Sequence, residues 1–190
     1  MPIVLYLGGN IKEYEVKSEE IIKGHITAGS IRCELCTDPM AVHSHYTRGI
    51  KETGERIAIT VVWCRACEKW HALLPDFLLP YKHYSGNEIE GVIIDSATEP
   101  AILIETAASE STVRRWIKRV GGSIIGAVGK LKLLFGREGR AVSEIAIAPG
   151  PCYSELEQIL EMAPSPIKCS GNKLGMANIW LGANVTAAYI

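Results

Sequence analysis

The stretch IRCELCTDPMAVHSHYTRGIKETGERIAITVVWCRACEKWH, residues 31–71, carries two Cys-x-x-Cys pairs, Cys33/Cys36 and Cys64/Cys67, with 27 residues between them. A Cys-x-x-Cys turn aims two sulfurs at one point while its backbone amides face the thiolates. Two such turns supply the four tetrahedral ligands that zinc prefers, with thiolates about 2.3 Å from the metal. The gap exceeds the usual range for zinc ribbons, and the residues that fill it explain its length. His45–Ile50 and Arg56–Trp63 read as strand arms around Glu52-Thr53-Gly54-Glu55, a turn sequence. Ile57, Ile59 and Val61 alternate with Ala58, Thr60 and Val62, the period of a strand with at least one buried face. The expectation is one structural Zn2+ held by Cys33, Cys36, Cys64 and Cys67, with Arg65 and Lys69 offsetting part of the negative charge of four thiolates. Two other readings compete. A redox dithiol needs only one pair, at a helix start after a strand; free core cysteines need no spacing at all. His43, His45 and His71 are each candidates to replace a cysteine ligand. Cys152 and Cys169 lack partner spacing and read as ordinary buried thiols.

At 190 residues and 47% apolar composition the chain is one large domain or two small ones, with ample material for a core. A net charge of −1 argues against a uniformly basic nucleic-acid coat. The charge is segregated, however. Arg114 to Arg140 hold eight basic residues against the single Glu138, a net +7 that leaves −8 for the remainder. Such a block can face phosphates even in a near-neutral protein. The apolar run Ile3–Leu7 has no basic region before it, so no secretory signal is expected, and no run approaches the ~20 apolar residues of a membrane span. Six cysteines in that setting point to a reducing, cytoplasmic location and to metal ligation over disulfides.

The fold class expected is α+β. Residues 1–30 form a lead-in: a short strand, a Gly8–Gly9 turn and a helix around Ser18–Lys23, with Ser18 as its cap. Residues 31–84 are the zinc ribbon and its connector, LLPDFLLPYKHY at 73–84 being read as extended. Residues 85–122 fit a helix-turn-helix. Its first helix starts at Ser85 with a Ser85/Glu88 capping box and runs to about Ala97. A second spans Thr98–Ala107, and a third spans Glu110–Val120, capped by Ser109 and stopped by Gly121–Gly122. Within 123–190, Ser123–Phe135 and Ser154–Met162 are helix candidates, and the last 25 or so residues resist assignment.

The third helix carries the DNA expectation. Val113, Trp116, Ile117 and Val120 make an apolar stripe, and Glu110, Ser111, Arg114, Arg115 and Lys118 fall opposite. A recognition helix needs one face anchored and the other offering donors to double-stranded DNA. Arg114 and Arg115 suit bidentate contact with guanine, while Lys118 and Arg119 suit phosphates. A solvated amphipathic helix would give the same pattern alone; the basic block and the upstream ribbon favour DNA.

This combination resembles a bacterial zinc-ribbon plus helix-turn-helix family similar to the N-terminal DNA-binding region of insertion-sequence transposases. The likeness rests on the two Cys-x-x-Cys pairs, on His71-Ala72-Leu73-Leu74-Pro75 and on Ser111-Thr112-Val113-Arg114-Arg115-Trp116, and covers about residues 10–120. It implies a DNA-binding, transposase-associated or regulatory protein, with a transposase or a second copy of itself as protein partner. The first knuckle departs from the commoner Cys-Pro-x-Cys-Gly form in having Glu34 and Thr37. Catalysis is not expected. A two-metal nuclease needs converging carboxylates, yet no aspartate follows Asp95, and Glu155, Glu157 and Glu161 read as one solvated helix face. Phosphate-loop, nucleophile-elbow and dinucleotide motifs are missing as well. The rival functions are a zinc-ribbon protein–protein adaptor and a Cys-x-x-Cys thiol enzyme.

Overall fold

The computed structural model describes residues 2–137, 153–163 and 169–184. Among them the chain is α+β: a four-stranded sheet built from the first 75 residues, followed by helices. Strands β1 (Ile3–Leu5), β2 (Ala41–Gly49), β3 (Arg56–Cys64) and β4 (Lys69–Pro75) lie in the order β1-β4-β3-β2. β2 and β3 form the anticipated hairpin, antiparallel from Ala41↔Trp63 to Gly49↔Arg56. Gly54 takes a φ of 72° in its turn, and Ile50 N–H donates to Glu55 O at 2.9 Å to close it. β4 continues antiparallel on β3 and accepts β1 in parallel, Ile3 facing Leu73. Its last three residues, Leu73–Pro75, belong to the stretch expected from sequence to be an extended connector.

The first helix, α1 (Ile11–Thr27), begins earlier than the Ser18 reading. Its cap is Asn10, whose side chain accepts the Glu13 amide at 3.0 Å. Gly8 makes the entry possible: its φ is +139°, and a Cβ there would stand 2.7 Å from Tyr14 N. Tyr14 then donates its hydroxyl to Ala58 O of β3 at 2.6 Å, fastening the helix to the sheet.

α2 (Gly86–Asp95), α3 (Glu110–Trp116), α4 (Gly122–Arg137), α5 (Tyr153–Glu161) and α6 (Lys173–Asn184) surround a second core that includes Ile89, Val113, Trp116, Val128, Phe135 and Leu156. Each such side chain contributes about 1.5–3 kcal/mol on burial. The helix anticipated over Thr98–Ala107 is replaced by successive turns. Ile104 alone of its large apolar residues is buried, while Ile102 and Leu103 are both 67% exposed, so the segment lacks the apolar stripe of a docked helix. Glu88 fixes it instead, accepting from Thr106 Oγ1 at 2.5 Å and from Ala107 N at 2.9 Å. Only half of the capping box therefore forms. Ser85 accepts the Glu88 amide at 3.2 Å, but Ser85 N–H donates to Glu52 Oε1 of the β2–β3 turn, at 2.6 Å.

Gly121–Gly122 do not stop the third helix. Ile117–Gly121 widen into a single π-helical turn that leads directly into α4. Of the acids read as a solvated face, Glu155 is buried, Glu157 is half-buried and Glu161 is exposed. The first residues of α6 and the loop before it reach both halves of the molecule. Asp76, fully buried after β4, accepts from the Ser170 amide and from Ser170 Oγ at 2.8 Å. Asn172 donates to Asp76 O at 3.3 Å, and Glu90 of α2 accepts the Leu174 amide at 2.9 Å.

Candidate metal centre and basic surface

The two Cys-x-x-Cys pairs converge. The Sγ atoms of Cys33, Cys36, Cys64 and Cys67 all lie within 4.8 Å of one another. Cys33 and Cys67 are 3.7 Å apart, and Cys36 and Cys64 are 3.4 Å apart. Four thiolates at about 2.3 Å from a tetrahedral zinc stand about 3.8 Å from each other, so the donor set fits that ion. Ligand softness also favours it, since thiolates select zinc over hard cations such as magnesium or calcium. Cys33 and Cys64 are buried, and Cys36 and Cys67 are partly open. No water-sized coordination position has to be left for chemistry when four sulfurs surround one point.

Each pair sits on its own tight turn. Cys33–Cys36 lies in a small loop closed by Cys33 N–H to Asp38 O at 2.9 Å and Thr37 N–H to Cys33 O at 2.8 Å. Cys64–Cys67 forms the β3–β4 hairpin, where Cys64 pairs with Lys69. The residue following each pair has left-handed backbone: Thr37 at φ 63° and Glu68 at φ 52°. This is the conformation that glycine supplies in the commoner knuckle. The substitution of Thr for Gly after the first pair thus leaves the knuckle shape intact, at the cost of local strain.

The surroundings act on the sulfurs unequally. Burial alone would raise the Cys33 thiol, but the Leu35 and Cys36 amides and the Cys67 and Cys64 thiols outweigh it and bring it down to about 7. Cys67 is pushed far above the ordinary thiol range, first by its hydrogen bond with Cys36. Cys36 is raised as well, so a metal at this point would displace protons from Cys36 and Cys67. His71 is the residue whose role the sequence left open. It is buried, with Nε2 3.8 Å from Cys33 Sγ, beside the four sulfurs and outside their cluster. His43 and His45 are exposed on β2. His43 rests near Trp63 and Trp70, ring centroids 6.2 and 6.0 Å away. Cys169 is partly exposed and apart from the cluster, and Cys152 lies outside the described residues.

The residues expected to meet DNA all stay at the surface. Glu110, Ser111, Arg114, Arg115, Lys118 and Arg119 are exposed, while Val113, Trp116 and Val120 are buried and Ile117 is half-buried. α3 and the π turn thus present one basic side and one anchored side. Arg114 is held by its neighbour, its Nε and Nη2 donating to Glu110 Oε1 at 2.8 and 2.6 Å. An exposed i,i+4 ion pair of this kind is worth about 0.3–0.5 kcal/mol, little enough for a phosphate to displace. Trp116 packs edge-on against Tyr84, ring centroids 4.8 Å apart, which fixes α3 on the chain that leaves the ribbon. Lys130, Lys132 and Arg137 continue along α4, and Glu138 and Arg140 lie outside the described residues.

The sheet half of the chain also contributes to this surface, through residues that no local pattern marks. Arg48 of β2 donates to Leu79 O at 2.8 Å and also to Lys82 O, and Lys51 N–H donates to His83 O at 2.8 Å. These bonds hold residues 79–84 against the end of β2, and Lys51 and Lys82 line one cleft with Arg115 and Arg119. No helix among the described residues is long and apolar enough to cross a membrane. No curated protein and no solved structure matches the chain. A protein-family model described as Domain of unknown function (DUF6431) matches residues 33–116, a span that opens at the first cysteine ligand and closes at the buried tryptophan of α3.

Proposed function

We propose that this chain is a zinc-containing protein that binds double-stranded DNA through α3 and the π turn, with the metal purely structural and no catalytic role of its own. The observation that carries the reading is the two-sided α3. Its Val113 and Trp116 are locked in the helical core, while Arg114, Arg115, Lys118 and Arg119 project to solvent together. A helix so anchored keeps its donors in a fixed register for base edges and phosphates. α2 serves as the supporting helix, joined to α3 by the turns at 96–109 in place of the short turn of a compact helix-turn-helix. In this reading the chain works as a regulator or as the recognition partner of a transposase, alone or as a homodimer, in the cytoplasm.

The zinc ribbon would act as a rigid platform, its β3–β4 hairpin continuing into the loop that packs on Trp116. Duplex binding measured against salt tests the proposal. Log affinity is expected to fall linearly with log salt, and Arg114→Ala with Arg115→Ala is expected to weaken binding by tenfold or more and to lower the salt slope by about two. An affinity unmoved by salt, or by this pair of substitutions, refutes groove recognition by α3. An adaptor reading has one observation of its own. The edge strand β2 is exposed from Ala41 to Thr47, and Trp70 beside it is 61% exposed. Those are features of a surface that takes another protein chain. That reading gains if the zinc-loaded protein binds no duplex at low salt.

A further inference from the structure

Between the loop that leaves the ribbon and the side of α3 lies a cleft of about 260 Å³, walled by Lys51, Lys82, Arg115 and Arg119, with Thr112 and Tyr84 also lining it. His83 lines it too, and among the described residues no carboxylate does. Its cations come from separate parts of the chain. Lys51 follows β2, Lys82 stands in the segment held by Arg48, Arg115 is on α3 and Arg119 is on the π turn. Four positive charges gathered around one cleft repel one another. The strain registers at Lys82, whose ammonium is pushed below its usual range first by burial, then by Arg119 and Arg115.

We infer that this cleft binds a single phosphate group, its oxygens taken by Lys82, Arg115 and Arg119 with Lys51 at the rim. The chemistry is specific. Arginine forks and lysine ammonium groups match a multiply charged tetrahedral oxyanion, and Thr112 brings a hydroxyl to the same wall. Arg115 and Arg119, four residues apart, share one side of the helix and line one cleft while Val120 stays in the core. Two sources share this chemistry: the phosphodiester backbone of a duplex, or a free phosphorylated small molecule. The first rests on the DNA reading above, and the second stands without it.

Lys51 and Lys82 lie outside the α3 set, so they separate the two ideas. Pyrophosphate is the probe for the free-phosphate arm, added to the zinc-loaded full chain at constant ionic strength set with chloride. It is expected to raise the thermal midpoint of the parent protein and to lose that effect in Lys82→Gln and in Arg119→Gln, with Lys82→Arg retaining it. In the duplex arm, Lys51→Gln with Lys82→Gln is expected to lower affinity three- to tenfold and to reduce the salt slope by about one to two. A pyrophosphate effect without a duplex effect assigns the site to a free phosphorylated ligand, whatever becomes of the DNA reading. A duplex effect alone assigns it to the nucleic-acid backbone. If pyrophosphate stabilises parent and Lys82→Gln equally, or not at all, and duplex binding ignores the double substitution, the inference is overturned.

Discussion

Replacing Cys64 with serine tests the metal centre most directly. Cys64 is fully buried at the last position of β3, with its sulfur 3.4 Å from Cys36 Sγ and its backbone paired with Lys69 across the hairpin. Two effects follow from the substitution and they differ in size. As a side-chain change alone, a buried hydroxyl in place of a thiol costs about 1–3 kcal/mol. As a ligand loss it costs much more, because zinc binding at four thiolates supplies roughly 10–16 kcal/mol of apparent free energy. If three sulfurs keep even two thirds of that, the loss is about 4 kcal/mol. For a chain of this size about 2–4 °C accompanies each kcal/mol, so the midpoint should drop by about 8–16 °C. The assay is thermal unfolding by circular dichroism, paired with metal content by elemental analysis, with and without a strong chelator. Chelation, which removes all of that energy, should bring the parent protein below the untreated variant, and the two chelated proteins should differ by only a few degrees. A parent carrying under half an equivalent of zinc would refute the reasoning. So would a Cys64→Ser midpoint equal to the parent's, or a parent indifferent to chelation.

Two further outcomes are expected. Thr37 holds a left-handed backbone that a β-branched residue adopts at a cost of about 1–2 kcal/mol. After allowance for the extra freedom of glycine when unfolded, Thr37→Gly should raise the stability of the zinc-loaded protein by about 0.5–1 kcal/mol in chemical denaturation. Tyr14 combines burial with a hydroxyl bonded to Ala58 O, and its ionisation is pushed up to about 12, by burial first and by Tyr46 second. A raised acid in the folded state contributes stability that is complete below the ordinary value of 10.0 and disappears as pH climbs through about 12. Tyr14→Phe should therefore cost about 1–2 kcal/mol near neutrality and flatten the fall of the melting point over that alkaline window.

What could be read from the residues was whatever depends on short-range spacing. The cysteine pairs declare themselves because ligand chemistry fixes the two-residue gap. The β2–β3 hairpin follows from alternation around Gly54, and the burial of Val113, Trp116 and Val120 follows from helical periodicity. Contacts made at long range were hidden. β4 carries Leu73-Leu74-Pro75 as a continuous apolar run where β1 pairs with it, beyond the residues 69–72 that pair with β3, and nothing in the run names those neighbours. Thr98–Ala107 has plausible helical composition, yet Glu88, ten or more residues away, claims its backbone and hydroxyl. Gly121–Gly122 looked like a stop because glycine usually is one. In the π turn Gly121 sits buried instead, between helices that run on. The same limit explains the basic cleft. Arg115 and Arg119 were visible as helix residues, whereas Lys51 and Lys82 joined them only through Arg48, whose role no local pattern announces.

The clasp at the start of α6 has a consequence for how such a protein can be cut and recombined. The segment 33–116 matched by the family model would, if excised, lose β1 from the edge of β4 and leave Asp76 without Ser170. Glu90 would likewise lose the Leu174 amide, and Trp116 would lose most of the core it anchors. A swap of one ribbon for another is constrained in the same way. The incoming sheet must offer a partner for residues 170–175, or the last helix has to travel with it. The unit of inheritance is therefore larger than the stretch that holds the cysteines, and a shuffled chain that keeps only that stretch would hold metal without a fixed surface to present.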